Sequence, residues 1–421
     1  MVEERRLPSG LTLVAEQASW QQGVSLGLFV RGAVVDEPPG QEGIAHLLEH
    51  LVFRGTENYT GPALAAAIED GGGELNAYTT KEYTCIWGRM LPDDLPHMLE
   101  VVAELFLRPL LRARDLRREV QVIEGEHALW LDSPEELVCD LLEEQIFGGS
   151  PLGRRVLGDP QALSALRAQD LRAFHQATWR LGRSVLAVSG PIPVAQVARL
   201  AQALEESPAP RAAARRVAAR PAAGAASAGR ISQIHLAVGG AALPFGDHGL
   251  AAQDLLVQEF GGGPSSRLFQ RLRDEDALSY GIYSYATAYA AGGMWGVYAD
   301  LPAGQLREGL SAILEEAQAL RRARIGERRL GPMRRAAEGA LLLSLDSPFA
   351  RVERHALQVL LRGGAEPLDR EIQELHAVDG RALREAAERM LRPETWHGVA
   401  LLPDGRLLRG GIDELTAEVG E

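Results

Sequence analysis

The chain has 421 residues, 46% of them hydrophobic and 24% charged, with a formal net charge of −13. That length suits two domains of about 200 residues better than one, and the composition is that of an ordinary globular protein. The acidic balance argues against a nucleic-acid partner. No stretch reaches the roughly 18–20 apolar residues needed to span a bilayer, so no membrane partner is expected either.

The opening segment, MVEERRLPSGLTLVAEQ, carries charges but no apolar run before a small-residue cleavage site, so no export signal is expected. Strands are predicted at GLTLVAEQ and GVSLGLFVRG, then a helix over 43–54, then a strand within GGGELNAYTTKEYT (71–84). Long helices follow in DDLPHMLEVVAELFL, around DLRREVQVIEGEHALWL, and in SPEELVCDLLEEQIF. Residues 207–230 contain one large apolar side chain, Val217, among Ala, Pro, Arg, Ser and Gly, and read as an exposed linker. Beyond it the plan repeats: ISQIHLAVGGAAL opens on a strand, and GQLREGLSAILEEAQALRR, RRLGPMRRAAEGALLLSL and DGRALREAAERML read as helices. The expected fold class is therefore α+β, with two structurally related domains, 1–206 and 231–421, each a mainly antiparallel sheet covered by helices. Cys85 and Cys139 lie in apolar segments and are expected as buried free thiols, which fits a reducing, cytoplasmic location.

Within GIAHLLEHLVF (43–53), His46 and His50 are four residues apart and project from one face of the predicted helix, where both imidazoles can reach one ion. Glu49 lies on the same side and can bond a water without being a ligand. Zinc suits the set: it accepts imidazole and carboxylate in tetrahedral geometry, and it lowers the pKa of a water in its open position toward ~7. Glu49 would take that water's proton. H-x-x-E-H arises by chance in a chain this long at a level on the order of 1% at average residue usage. A buried histidine is often a satisfied core residue, but two with a carboxylate in an apolar setting are costly unless something pairs them. The third ligand is sought in REVQVIEGEHALWLDSPEELV, where Glu119, Glu124, Glu126 and His127 compete; spacing leaves them open, although Glu119 and Glu126, seven apart, share a face.

AHLLEHLVFRGT closely resembles the signature of the pitrilysin-like, or insulinase, metallopeptidases, whose zinc motif inverts H-E-x-x-H. The resemblance implies the LuxS/MPP-like metallohydrolase fold and a third ligand about 76 residues beyond the second histidine, with another glutamate seven before it. Those positions are Glu126 as ligand and Glu119 behind it. By the same resemblance Asn76 and Ala77 would bind peptide backbone by strand addition, where the residues alone read as an ordinary edge strand. GGGPSSRLFQRLRDEDALSYGIYSY (261–285) is similar to the segment carrying the family's Arg/Tyr pair, here Arg273 and Tyr280. A guanidinium and a phenol there would stabilise the oxyanion. His127 departs from the family's apolar residue at that position; it reads as a spare ligand or a surface histidine, and the surface is the preferred expectation. The family implies a zinc endopeptidase with one Zn²⁺ per subunit, acting on short or unfolded peptides inside a dimeric clamshell chamber. A homodimer is the first expectation and a heterodimer with a related subunit the second. The alternative is a catalytically silent structural subunit, which such relatives become when the motif glutamate or a ligand is lost.

Overall fold

The computed structural model describes residues 2–204 and 231–418; the expected linker at 207–230 lies outside them. The described residues fall into two compact units. One is drawn from within Met1–Glu126, Gly149–Ala222 and Leu343–Glu366, the other from within His127–Gly148, Ala223–Leu342 and Pro367–Glu421. Both are α+β, as expected.

The first unit is built on a six-stranded sheet of β1 (Val2–Arg6), β2 (Thr12–Gln17), β3 (Val24–Val30), β4 (Glu74–Thr79), β5 (Thr84–Met90) and β6 (Ser184–Gly190), in the order β1-β2-β6-β3-β5-β4. Every neighbouring pair is antiparallel except β2 with β6. One face packs Leu13, Leu26, Leu28 and Ile86 against Ile44, Leu47 and Leu48 of the helix Ile44–Val52 and against Leu99, Val102 and Phe106 of the helix Leu95–Leu107.

The second unit has a five-stranded antiparallel sheet of β7 (Gln233–Ala242), β8 (Ile282–Tyr289), β9 (Gly292–Pro302), β10 (His397–Leu401) and β11 (Leu407–Gly411), in the order β11-β10-β7-β9-β8. In each unit a strand, a helix and a hairpin follow in chain order, and the hairpin's second strand lies beside the first strand: β3-β5-β4 in one, β7-β9-β8 in the other. That shared module is the structural relationship between the halves.

The units do not follow the sequence division at 207–230. β3 and β6 are buried along their whole length, so both sheet faces need cover. The second face is closed by the helix Pro348–Leu357, from late in the chain, whose Val352 and Ala356 pack on Val14, Phe29, Cys85 and Ala187. In the other unit the helix Pro134–Ile146, from early in the chain, packs on β7 and β10. The division by sequence had placed each of these helices in the opposite half.

Glu16 of β2 holds the late helix. Its carboxylate takes both Arg351 Nε (2.8 Å) and Nη2 (2.5 Å), and also the Ser189 hydroxyl (3.0 Å). Burial alone would raise the Glu16 carboxyl, but these bonds, with His355 nearby, hold it well below the usual carboxylate range. A depressed pKa means stabilisation present above the unfolded value of ~4.3 and lost as pH falls below it. Arg351 is partly exposed, so Glu16→Gln is expected to cost about 1–3 kcal/mol at pH 7. Urea unfolding should show that difference shrinking toward pH 3; an unchanged difference would contradict the assignment.

Both cysteines are free, Cys85 buried and Cys139 half-buried. Among the described residues no helix is long and apolar enough to cross a membrane.

Candidate metal centre

The predicted helix over 43–54 forms at Ile44–Val52, with its apolar side in the core and His46, Glu49 and His50 off it. Its start is fixed by a contact not foreseen from the sequence. One carboxyl oxygen of the buried Glu37, Oε1, accepts the backbone N–H of both Gly43 and Ala45, each at 3.0 Å. Arg154 Nη1 donates to the Glu37 carbonyl at 2.7 Å, and Nζ of Lys81, the chain's sole lysine, donates to the Arg154 carbonyl. Gly43 (φ +96°) and Gly158 (φ +74°) meet backbone to backbone: a Cβ on Gly158 would lie 2.3 Å from the Gly43 Cα, so a side chain there would push the helix start aside.

From this helix the Nε2 atoms of His46 and His50 converge to 3.2 Å. Glu126, on the helix Ala113–Leu131, brings Oε2 to 3.7 Å from His46 Nε2 and Oε1 to 3.6 Å from His50 Nε2. Among the described residues this is the one group of His, Cys, Asp and Glu side chains whose donor atoms come together within 4.8 Å. A tetrahedral zinc with bonds of 2.0–2.2 Å sets its ligand atoms about 3.3–3.6 Å apart. The three donors therefore match zinc in type and spacing.

Behind His50, the buried Glu119 places Oε2 3.4 Å from Nδ1 and is itself gripped by Arg54, Nε to Oε1 at 2.6 Å and Nη2 to Oε2 at 3.0 Å. A carboxylate that holds the Nδ1 proton leaves the Nε2 lone pair facing the cluster. Arg54 was missed in the sequence although it sits four residues after His50, one helical turn on.

Burial raises the Glu49 carboxyl above its ordinary range, with hydrogen bonds from Thr79 opposing. Its Oε2 is buried and has no hydrogen-bond partner among the described residues. Such an atom is costly unless water or a ligand group reaches it. It stands on the same helix as the histidines, at the end of β4.

β4 is an edge strand, paired only with β5 among the described residues. Asn76 is exposed, and the Ala77 N–H donates to the Asn76 side-chain oxygen at 2.8 Å. Asn76 thus caps a backbone donor in the way a peptide carbonyl would.

Arg273 and Tyr280 belong to the second unit, where the structure brings them together. Arg273 Nη1 donates to the Tyr280 carbonyl at 3.1 Å, and its guanidinium lies 4.3 Å from the Tyr280 ring centroid and 4.7 Å from that of Phe269. The turn between them is unusual: Phe269–Glu275 is π-helical and Ala277 has φ +52°. Asp300 Oδ1 holds its far end, accepting Ser279 Oγ (3.0 Å) and the N–H groups of Tyr280 (2.9 Å) and Gly281 (2.8 Å). Tyr280 itself remains 75% exposed. Asp300, twenty residues on, gave no signal in the sequence.

His127 is not on the surface. It is 7% exposed and lies edge-on to Trp130. The buried stripe of its helix runs through Ile123, His127 and Trp130, and that periodicity overrides the polarity of one imidazole.

Residues 12–160 match the insulinase family, peptidase family M16, and residues 165–335 match the peptidase M16 inactive domain. An uncharacterized zinc protease of Streptomyces coelicolor is 31% identical over 408 residues, which cover 93% of this chain and 87% of that one. The uncharacterized zinc protease YmxG of Bacillus subtilis is 28% identical, with 97% and 100% covered. Among solved structures, a peptidase M16 inactive domain from Pseudomonas fluorescens superposes with a TM-score of 0.86 at 20% identity, over 95% of this chain and 97% of the other. A protease from Helicobacter pylori gives 0.84 at 20%, over 96% and 99%. At that identity the structures show a shared fold.

Proposed function

The chain belongs to the insulinase family, peptidase family M16, and from that premise we propose that it is a zinc-dependent endopeptidase acting on short or unfolded peptides. The observation that carries this reading is the convergence of His46, His50 and Glu126, with Glu49 on the histidines' helix and its buried Oε2 without a partner among the described residues. His46, His50 and Glu126 would hold the metal, one per subunit. Zinc, when bound, supplies a Lewis acid that makes water nucleophilic near neutral pH and polarises a peptide carbonyl.

The chain's own groups do the rest. An extended peptide adds to the β4 edge, its carbonyl replacing the Asn76 oxygen on the Ala77 N–H, so main chain is bound with little regard for side chains. Glu49 takes the proton of the attacking water and returns it to the leaving amine. Glu119 and Arg54 keep His50 in the tautomer that faces the cluster. Tyr280 and Arg273 donate to the developing oxyanion. We assign these last two to the second unit of a partner copy, which makes the working form a homodimer with two shared sites; a heterodimer with a related subunit is the competing assembly. A silent subunit would have lost Glu49 or a ligand, and all are retained.

The test is cleavage of a quenched, unstructured peptide, with and without a chelator, followed by mixing of Glu49→Gln with Tyr280→Phe. Chelation should abolish turnover and zinc restore it. Mixing under demonstrated subunit exchange should recover activity that neither variant has alone. Chelator-resistant cleavage would overturn the metallopeptidase, and absence of recovery the shared site.

A further inference from the structure

A cavity of about 900 Å³ opens in the first unit beside the Glu74 end of β4, with Gly73 and Glu74 in its wall. Trp20 and Leu91, 64% and 58% exposed, also line it, which gives it two large apolar side chains without cover. Of its four ionic side chains three are held in ion pairs, and the fourth, Asp346, faces the charge of Arg351. Arg89 pairs with Glu74 at 3.3 Å, and Arg351 is held by Glu16 with its guanidinium 5.4 Å from the Trp20 ring centroid. Beside these charges and the neutral polar Gln21, Gln22 and Ser25, the cavity offers an aromatic face and an aliphatic side chain, and the group that covers those two is apolar.

Its position along β4 says which molecule brings that group. The far end of β4, Thr79, hydrogen-bonds Glu49. From Thr79 back to Glu74 is five residue rises, about 17 Å. The β4 edge is free along that length among the described residues. A peptide paired to β4, with its scissile bond near Glu49, therefore runs off the strand at the cavity. We propose that the cavity receives a bulky apolar side chain of the peptide substrate, aromatic or branched aliphatic, about five residues from the scissile bond. This rests on the peptidase reading and adds a length and side-chain preference that main-chain pairing cannot supply. Substrates long enough to reach the cavity are bound more tightly, and the gain appears in KM because the contact is made equally before and during bond cleavage.

The test uses the full chain with zinc, a quenched hexapeptide too short to reach the cavity, and fourteen-residue peptides carrying Phe or Asp at each position three to seven residues from the bond, on either side. Phe near the fifth residue on one side should raise kcat/KM about tenfold over Asp, mostly through KM, the size expected for burying one apolar side chain. Trp20→Ala should remove that preference and Trp20→Phe should keep it. Trp20 is largely exposed, so the substitution removes no core packing. No Phe preference at any position, or a preference that survives Trp20→Ala, would overturn the proposal. Failure of the wild-type chain to cleave even the hexapeptide would instead sink the peptidase reading beneath it.

Discussion

Glu49→Gln is expected to bind zinc as the parent chain does and to cleave peptide at least ~10²-fold more slowly, the smaller figure for loss of a general base. Glu126→Gln should fail in the opposite order, losing zinc first and activity with it. The distinction follows from where the two carboxylates point. Glu126 lies 3.6–3.7 Å from both imidazole nitrogens, at the spacing of a third ligand. Glu49 contributes no atom to that group, and its Oε2 stands apart without a partner among the described residues. Glu119→Gln should fall between, weakening zinc by about 10–100-fold, because it removes the charge that fixes His50 and leaves Arg54 unpaired. Glu124, two residues before Glu126, points to solvent, so Glu124→Gln should change nothing. Zinc per chain, competition with a chromophoric chelator and peptide turnover, measured on all four, separate the roles. If Glu49→Gln loses zinc as readily as Glu126→Gln, Glu49 is a ligand rather than a base.

These roles were unequally legible in the sequence. H-x-x-E-H is local, and helical spacing alone puts both imidazoles on one face. Glu126 was not local: four candidates stood within nine residues, and the choice rested on the family's 76-residue interval, which the structure matches with a convergent donor set. Glu37 and Arg154 were invisible because their contacts close a loop back onto the helix start, and nothing in a single sequence marks which carboxyl returns to which N–H. The exchanged helices were missed for a related reason. Amphipathic periodicity says that a helix has an apolar side, not which sheet it covers, and β3 and β6 had already signalled that a second cover was needed by being apolar throughout. The expectation of a surface His127 failed because it weighed residue type over position on a buried stripe.

The helix start is where the second large effect is expected. Glu37→Leu should destabilise the first unit by about 2–4 kcal/mol, since it removes a helix cap and leaves two buried N–H donors, of Gly43 and Ala45, without an acceptor. Glu37→Gln keeps an oxygen in place and should cost far less near neutral pH. The pH dependence distinguishes a neutral from a charged cap. Burial pushes the Glu37 carboxyl up to about 8, against the two N–H bonds and Arg154, and its second oxygen is buried with no partner among the described residues. An acid whose folded pKa exceeds its unfolded value of ~4.3 releases its proton more readily when unfolded. Wild-type stability should therefore decline as pH rises from about 4.3 to about 8 and level off beyond, while Glu37→Gln lacks that decline. Urea unfolding across pH 5–9, with zinc chelated so that metal binding adds no stabilisation, measures both. Parallel curves for the two proteins would mean that Glu37 ionises alike folded and unfolded, and that the metal helix is capped by a carboxylate. In that case the charge would favour the N-terminal end of the helix dipole directly, and Glu37→Gln would itself be destabilising at pH 7.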